Sequence, residues 1–288
     1  MTTLARLFAL LLILVSTHLF AQRETSLLWK LSGEGIRDSY IFGTIHLLCP
    51  DDLELSDVLK ERLASADQLV LELDFDDPSL MTDVQKYMIM DDQTLSDLFS
   101  EEEYESLSTF FEEKMGMPIA FMQKVKPFML MSMMLPAALD CTPASYETSL
   151  VQLAKNNKQE VIGLETVEEQ MTAIDAFPQE EMADMLIDYI ENFEDTKDEF
   201  KSMVAAYKQQ DPDALLAEMQ EQLEESDSEE FNEVMLVKRN HAWIERIVKI
   251  AGEKSSFIAV GAGHLGGPEG IIALLREAGF EVEAISSQ

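Results

Sequence analysis

The sequence predicts an α/β fold, with a mixed sheet formed by both ends of the chain and a helical insertion covering one side. Three observations predict it. Short apolar runs rich in β-branched and aromatic residues gather near both ends of the chain. Between them, apolar residues recur at three- and four-residue spacing among many acids, which is typical of helices. Two strand-like runs, at 40–47 and 258–265, end in the same G-x-x-H pattern.

The predicted strands are each bounded by Gly, Pro or Asp. They are the runs SLLWKLS (26–32), SYIFGTIHLL (39–48), QLVLELDF (68–75), QEVIGLE (159–165), FIAVGAG (257–263) and FEVEAI (280–285). A helical pattern at 55–66 separates the second and third strands, which gives a βαβ-like unit. Another joins the last two strands, with Pro268 near its start and Gly279 just past its end.

The strands define the predicted organisation of the chain. We expect one α/β core interrupted by two helical insertions, without a second domain. The core takes residues 24–76, 140–177 and 236–288, and the insertions take 77–139 and 178–235.

Two segments of the insertions need their own interpretation. Residues 182–207 have the periodicity of one amphipathic helix. The methionine-rich run FMQKVKPFMLMSMMLPAAL, at 121–139, has two interpretations. It is either a buried helix, because Met fills irregular cores well, or the pliable apolar wall of a peptide-binding cleft.

The charge and the first residues bear on partners and location. With 55 Asp and Glu against 21 Lys and Arg, the formal charge of −34 excludes nucleic acid and anionic lipid as main partners.

Residues 1–21 have the segment order of a secretory signal peptide: Arg6, a short apolar run, and a cleavage site that ends at Ala21. An uncleaved anchor is the alternative. We expect an exported protein, periplasmic or secreted, with no membrane span in the mature chain.

The only two cysteines, Cys49 and Cys141, predict a disulfide. The compartment beyond the membrane is oxidising, and both residues lie in Pro-containing connections that accommodate a bridge easily. Two unpaired buried thiols are the alternative.

The glycine-rich stretch FIAVGAGHLGG (257–267) has two interpretations. Gly261, Gly263 and Gly266 fit the G-x-G-x-x-G fingerprint of a dinucleotide site. That fingerprint should follow the first strand of a doubly wound sheet, with further βαβ units after it. Here it begins 28 residues from the end of the sequence, with room for one helix and one strand. We therefore favour the second interpretation, a strand that ends in G-x-x-H.

The G-x-x-H interpretation has support at the other end of the chain. YIFGTIHL (40–47) and IAVGAGHL (258–265) match position by position, which is typical of an internal repeat. Gly43, Gly261 and Gly263 are expected to let the backbone turn where a side chain would obstruct it. His46 and His264 then project from the carboxyl end of the sheet, where open α/β folds place their sites.

These motifs resemble the TraB/GumN (TraB/PrgY) family, which is related to the Tiki metalloproteases. The resemblance covers roughly residues 25 to 288 and rests on FGTIHLL, LVLELD, VIGLETVEEQ, KRNHAWIERI and FIAVGAGHLGGPEGIIALLREAGFEVE. For the Tiki branch, the resemblance implies a divalent-metal-dependent peptidase that uses both G-x-x-H histidines with a Glu and an Arg. By motif these are His46, His264, Glu72 and Arg239. The chain has no H-E-x-x-H motif, so the usual zincin assignment of ligands and base has no support.

His46, His264 and Glu72 are the predicted ligands of a divalent metal ion, either Mn, Co or Zn, because two imidazoles and a carboxylate leave positions open for water. Structural histidines held by hydrogen bonds are the alternative. Glu72 ends an apolar strand, so it is a third ligand, a general base, or a strand-end carboxylate that reaches solvent.

Two further residues are catalytic candidates. Glu165, in GLET, is an alternative carboxylate for the same site; it could instead belong to a helix cap formed by Thr166 and Glu169. Arg239 either pairs with Glu72, stabilises an oxyanion, or forms a surface salt bridge.

The sequence thus predicts an exported metal-dependent hydrolase, peptidase-like, acting on a peptide or a small-molecule substrate. A non-catalytic protein of the same fold that binds or sequesters a signal peptide is the second hypothesis. A metal or haem carrier that uses the same histidines is the third. No pattern in the sequence indicates an oligomeric state.

Overall fold

A computed structural model describes residues 25–221 and 229–286, and the predicted signal peptide lies outside these ranges. The strands are β1 (Leu28–Ser32), β2 (Ser39–Thr44), β3 (Gln68–Leu71), β4 (Glu160–Gly163), β5 (Ser256–Gly261) and β6 (Glu281–Ile285). They form one mixed sheet in the order β4-β3-β5-β2-β1-β6. Every predicted strand run overlaps one of these strands, and the predicted mixed α/β fold is confirmed.

The described helices are α1 (Asp57–Ser65), α2 (Leu80–Tyr87), α3 (Leu95–Leu98), α4 (Glu101–Phe110), α5 (Pro127–Met134), α6 (Tyr146–Asn157), α7 (Val167–Ile174), α8 (Gln179–Glu191), α9 (Phe193–Lys208), α10 (Pro212–Glu221), α11 (Lys238–Glu253) and α12 (Ile271–Glu277). Short 3₁₀ or π-helical turns lie at Phe111–Met115, Ile119–Met122, Leu135–Ala138, Asn232–Val237 and Ala262–His264. Within the described ranges, none of the helices combines the length and the apolar character that a bilayer crossing requires.

Two predicted helices begin or continue differently in the structure. The single helix expected over 182–207 is wrong, because Asn192, at φ −106° and ψ 26°, leaves the helical conformation and separates α8 from α9. Pro268 precedes the last helix by a short turn, and α12 begins at Ile271 with Gly270 as its cap.

The sheet brings distant parts of the chain together at its centre. β5 pairs in parallel with β2 on one side and with β3 on the other. β1 alone runs in the opposite direction and is antiparallel to both β2 and β6. The carboxyl ends of β2, β3 and β5 therefore lie next to one another at one edge, because neighbouring parallel strands end on the same side.

Alternate strand residues bury the two faces of the sheet, as the two-residue period of a strand requires. One face packs against α1 and α6 through Phe42, Leu69 and Phe257. The other face packs against α11 and α12 through Ile41, Val70 and Ile258. The core is thus a sheet between two helical layers.

The two helical insertions pack on each other in a separate apolar cluster. The first insertion contributes Phe111, Leu130 and Met134, and the second contributes Ala183 and Leu186. All five side chains are buried. The insertions are therefore folded as one helical unit on the α/β core.

Cys49 and Cys141 form the predicted disulfide, and no free cysteine is present in the described residues. The bond joins positions separated by 92 residues, so the loop that it closes contains the whole first insertion. Beside it, Leu48 and Ala144 exchange backbone hydrogen bonds of 3.1 and 2.8 Å. The segment after β2 is thus fastened to the segment before α6.

Candidate functional site

A cavity of about 410 Å³ lies between the carboxyl edge of the sheet and the helical insertions. Its polar wall comes from the ends of β2, β3 and β5 and from α11. The residues on that wall include Thr44, His46, Glu72, Arg239, Gly261 and His264. The cavity thus contains most of the site residues that the sequence predicts.

Gly261, the last residue of β5, is the point on which three predicted residues converge. A Cβ atom at Gly261 would lie 3.3 Å from Glu72 Oε1, 3.6 Å from His46 Nε2 and 3.6 Å from His264 Cδ2. The Gly261 N–H donates to Glu72 Oε1 at 2.8 Å, and His264 Nε2 lies 3.8 Å from the same oxygen. The two histidines, from opposite ends of the sequence, therefore face one small volume.

The glycines of the two G-x-x-H turns are needed for space. A Cβ at Gly43 would lie 2.8 Å from Leu265 Cδ1 and 3.0 Å from Ala262 Cβ, so the first turn packs directly on the second. A Cβ at Gly263 would lie 3.1 Å from the flexible end of Met219. None of the three predicted turn glycines has a positive φ, so close approach is the reason for glycine at these positions.

His46 is oriented by a residue that the sequence did not identify, Glu147. The Nδ1 of His46 lies 2.9 Å from Glu147 Oε1, which leaves Nε2 directed toward the cavity. Thr44 and Ser145 donate to the same carboxylate at 2.7 and 2.6 Å. Desolvation lowers the pKa of His46, but the hydrogen bond to Glu147 and the charge of Glu72 outweigh it and raise this pKa to about 9. His46 is therefore protonated at neutral pH in the metal-free protein, and a metal ion that takes its Nε2 as a ligand would have to displace that proton. Other protein groups lie close to the imidazole ring, yet 67% of the His46 side chain remains accessible to solvent.

His264 is oriented by Asn240. The Asn240 amide nitrogen donates to the backbone oxygens of His264 and Glu269, so its Oδ1 accepts from His264 Nδ1 at 2.7 Å. This arrangement puts the proton on Nδ1 and the lone pair on Nε2. Burial lowers the pKa of His264 to about 3; Glu72 opposes this shift, and Arg239 adds to it. His264 is therefore neutral at neutral pH, as a metal-ligating histidine must be.

Arg239 connects the buried acids with His264. Its Nη2 donates to Glu72 Oε2 at 2.6 Å and to Glu165 Oε1 at 2.7 Å, and its Nη1 lies 3.2 Å from His264 Nε2. The guanidinium stacks over Trp243, with its carbon 4.7 Å from the ring centre. Arg239 is only 8% exposed. The interpretation of Arg239 as a surface salt bridge is therefore wrong.

Glu72 and Glu165 have different environments. Burial would raise the pKa of Glu72, but His264, His46 and Arg239 lower it to about 2, so Glu72 is ionised. Glu165 does not line the cavity: its carboxylate accepts from Arg239 and, at 3.0 Å, from Trp243 Nε1. Burial raises the pKa of Glu165 despite Arg239. These contacts make Glu165 a support for Arg239.

The predicted cap after Glu165 is present. Thr166 caps α7, and its side chain accepts from the Glu169 N–H at 3.2 Å. The Glu169 carboxylate accepts in return from the Thr166 N–H at 2.9 Å, which completes a capping box.

The three predicted metal ligands can be compared with the requirements of a divalent ion in two respects: the type of their donor atoms and the arrangement of these atoms around one point. In the part of the chain that the structure describes, no group of three or more His, Cys, Asp or Glu side chains has the arrangement of a metal site. Arg239 donates to Glu72 Oε2 at 2.6 Å and lies 3.2 Å from His264 Nε2, so its guanidinium engages two of the predicted ligands. The donors nevertheless fit such an ion by type: two imidazole Nε2 atoms, each with its Nδ1 held by an acceptor, and an ionised carboxylate.

Sequence reasoning missed Glu147 and Asn240. Glu147 lies in the first turn of α6, where an acid is common because it complements the helix dipole, so nothing local marked it. Asn240 could have been found, since it directly follows Arg239 in the R-N-x-x-W motif. The remaining histidine of the described chain, His241, is exposed and pairs with Glu269 outside the cavity.

Comparison with known proteins agrees with the motifs. No curated protein and no solved structure shows significant similarity to the chain. The model of the TraB/PrgY/gumN family matches residues 27–284, which include β1 to β5, all of β6 except its last residue, and every residue of the site. A match over nearly the whole chain establishes that this protein belongs to the TraB/PrgY/gumN family.

Proposed function

We propose that the protein is an exported metal-dependent hydrolase that cleaves a peptide bond or a related acyl bond. The observation that carries this proposal is the convergence of His46, His264 and Glu72 on Gly261, inside a cavity large enough for a substrate segment. Buried ionisable groups that meet in a cavity are typical of active sites.

The imidazoles and Glu72 would hold the metal ion, either Mn, Co or Zn. When bound, a divalent ion supplies Lewis-acid polarisation of a carbonyl and acidifies water. Glu147 and Asn240 fix the ring orientation of His46 and His264 through Nδ1, as outer hydrogen-bond partners of metal-ligating histidines do. Glu72 Oε2 is taken by Arg239 and Gln170, whereas Oε1 faces the histidines. This contact pattern favours Glu72 as a ligand through Oε1.

Arg239 is suited to stabilise negative charge on the substrate. It lines the cavity, and Glu165 and Trp243 hold its guanidinium from the buried side. A fixed cation next to a reacting carbonyl stabilises a developing oxyanion without reorganisation at the moment of reaction. Glu165 acts through Arg239 and is a positioning residue in this proposal.

The proposal is tested with wild type, His46→Ala and the matched control His241→Ala. His46 is accessible and His241 is exposed, so neither change should disturb folding. Metal affinity is measured by calorimetry, and hydrolysis of a peptide library with Mn²⁺, Co²⁺ or Zn²⁺ is measured by mass spectrometry. We expect wild type and His241→Ala to bind metal and cleave, with affinity reduced at least tenfold in His46→Ala. Equal metal binding in all three proteins would contradict the proposal.

A second candidate function is peptide binding without cleavage. The observation that favours it is Arg239, whose guanidinium engages His264 Nε2 and Glu72 Oε2 directly. Peptide binding without products, unchanged in His46→Ala, would support this second function over hydrolysis.

Export is supported by the disulfide, which is stable in an oxidising compartment such as the periplasm or the extracellular medium. The proposed leader, residues 1–21, lies outside the described ranges. Expression of the full sequence with fractionation and amino-terminal sequencing tests it. A mature chain that begins at Gln22 outside the cytoplasm is the expected result, and an unprocessed cytoplasmic chain would contradict export.

A further inference from the structure

We infer that the cavity selects a peptide segment with a large aliphatic or aromatic apolar side chain, which in a hydrolase would lie near the bond that is cleaved. This inference names the substrate class of the site and therefore rests on the proposed function. Its basis is the part of the cavity lining outside the polar wall, which is mostly apolar and rich in methionine.

The two walls of the cavity differ in chemistry. The sheet edge and α11 contribute the polar wall described above, which contains His46, Glu72 and Arg239. Apart from Ser132 and Gln170, the rest of the lining is mostly apolar and comes mainly from the helical insertions and α7. Its apolar side chains include Phe128, Met129, Met171, Ile174, Met203, Leu215, Met219, Phe231, Met235 and Leu236. A substrate that reaches the polar wall must therefore place its neighbouring side chain against apolar surface.

Five residues of that surface form what we call the methionine wall: Met129, Met171, Met203, Met219 and Met235. Four of them are half-buried, so their side chains are packed at one end and accessible at the other; Met171 is buried. The Met219 side chain lies directly over Gly263, next to the turn that carries His264. Flexible, unbranched thioethers adapt to several apolar shapes, so the wall favours a class of side chains over a single one.

Helix α5 explains how one segment serves both the core and the cavity. Leu130 and Met134, one turn apart, are fully buried in the cluster between the insertions. Phe128, Met129 and Ser132 lie on the cavity side. The interpretation of the methionine-rich run as a buried helix holds for one face of α5, and the proposed peptide-binding wall uses the other face.

Charge in the cavity disfavours an acidic side chain. Among the described residues that line the cavity, Arg239 is the only Lys or Arg, and Glu72 and Glu165 already pair with it. The formal charge of −34 adds repulsion of anionic peptides at longer range. The volume of about 410 Å³ exceeds one side chain and suits a short peptide segment.

The inference is tested by calorimetric titration of the full chain with capped pentapeptides Gly-Gly-Xaa-Gly-Gly, where Xaa is Met, Leu, Phe, Ala or Asp. His46→Ala is used beside wild type, so that binding is measured whether or not cleavage occurs. Each buried methylene strengthens binding about fourfold. We therefore expect the Met, Leu and Phe peptides to bind on the order of 10- to 50-fold tighter than the Ala peptide. The Asp peptide should bind more weakly than the Ala peptide.

Variants of the methionine wall test whether these side chains cause the preference for apolar peptides. Met129→Gln and Met235→Gln keep the length of the side chain and make the wall polar, whereas Met81→Gln is a control at an exposed position outside the cavity. We expect about tenfold weaker binding of the Leu peptide to the first two variants and none of this loss in Met81→Gln. Thermal melting verifies that each variant is folded.

The outcomes separate this inference from the proposed function. Binding that prefers apolar peptides without any hydrolysis leaves the inference standing and contradicts the hydrolase. Hydrolysis of the library without preference at the varied position, unchanged in Met129→Gln and Met235→Gln, overturns the inference and leaves the hydrolase standing. Equal affinity for the Ala, Asp and Leu peptides also overturns the inference.

Discussion

Replacing both cysteines, as Cys49→Ser/Cys141→Ser, is expected to lower the free energy of unfolding by about 2 to 4.5 kcal/mol. The bond closes a loop of 92 residues, and the chain-entropy relation for a loop of that length gives about 4.5 kcal/mol. The lower bound allows for residual structure in the unfolded chain, which makes the entropy that the crosslink removes smaller than the relation assumes. The loss arises because the unfolded chain gains conformational freedom once the crosslink is absent.

Urea unfolding followed by circular dichroism measures this loss. At a slope of about 2 to 3 kcal/mol per molar urea, the midpoint should fall by roughly 1 to 2 M. Wild type treated with a reductant should unfold at the midpoint of the double variant, because both lack the same crosslink. A midpoint that is unchanged in both experiments would refute the reasoning, since it would mean that the crosslink constrains nothing in the unfolded chain.

Other changes test the site and its surroundings. Glu147→Gln should weaken metal binding about 10- to 100-fold in calorimetry, since His46 loses the carboxylate that orients it. Gly261→Ala should keep its melting temperature, since its φ of −50° suits alanine, yet lose metal affinity at least tenfold because the methyl group fills the point of convergence. Glu169→Gln should cost at most about 1 kcal/mol near pH 7, because Glu169 and Arg246 are partly exposed. The hydrogen bond from Arg246 lowers the pKa of Glu169 to about 2. The difference from wild type in urea titrations should therefore be full above pH 4.5 and vanish as the pH falls toward 2.

The strands were predictable because each lies in a short run that is rich in apolar residues and bounded by turn residues. Their order in the sheet was not, because the pairing of β5 with both β2 and β3 joins residues about 190 to 220 positions apart along the chain. Asn192 shows the limit of predictions from periodicity: the helical spacing of apolar residues continues through it, whereas the helical conformation of the backbone is interrupted there.

Within the site, His46 and His264 were predictable because both follow the same glycine frame. The partners of their Nδ1 atoms were not both predictable. Glu147 comes from a helix about 100 residues beyond His46, and its role depends on the fold alone. The burial of Arg239 could not be predicted either. The periodicity of an amphipathic helix does not show which acidic residues the neighbouring elements place beside it.

The position of β5 at the centre of the sheet has a consequence for the timing of assembly. β5 and the turn after it come from the last eighth of the sequence, yet they supply His264 and the backbone on which the other groups meet. A nascent chain that lacks them has an open gap between β2 and β3 and only half of the histidine pair. Any chemistry of this centre is therefore latent during most of synthesis and starts only after β5 and the turn that follows it have been inserted.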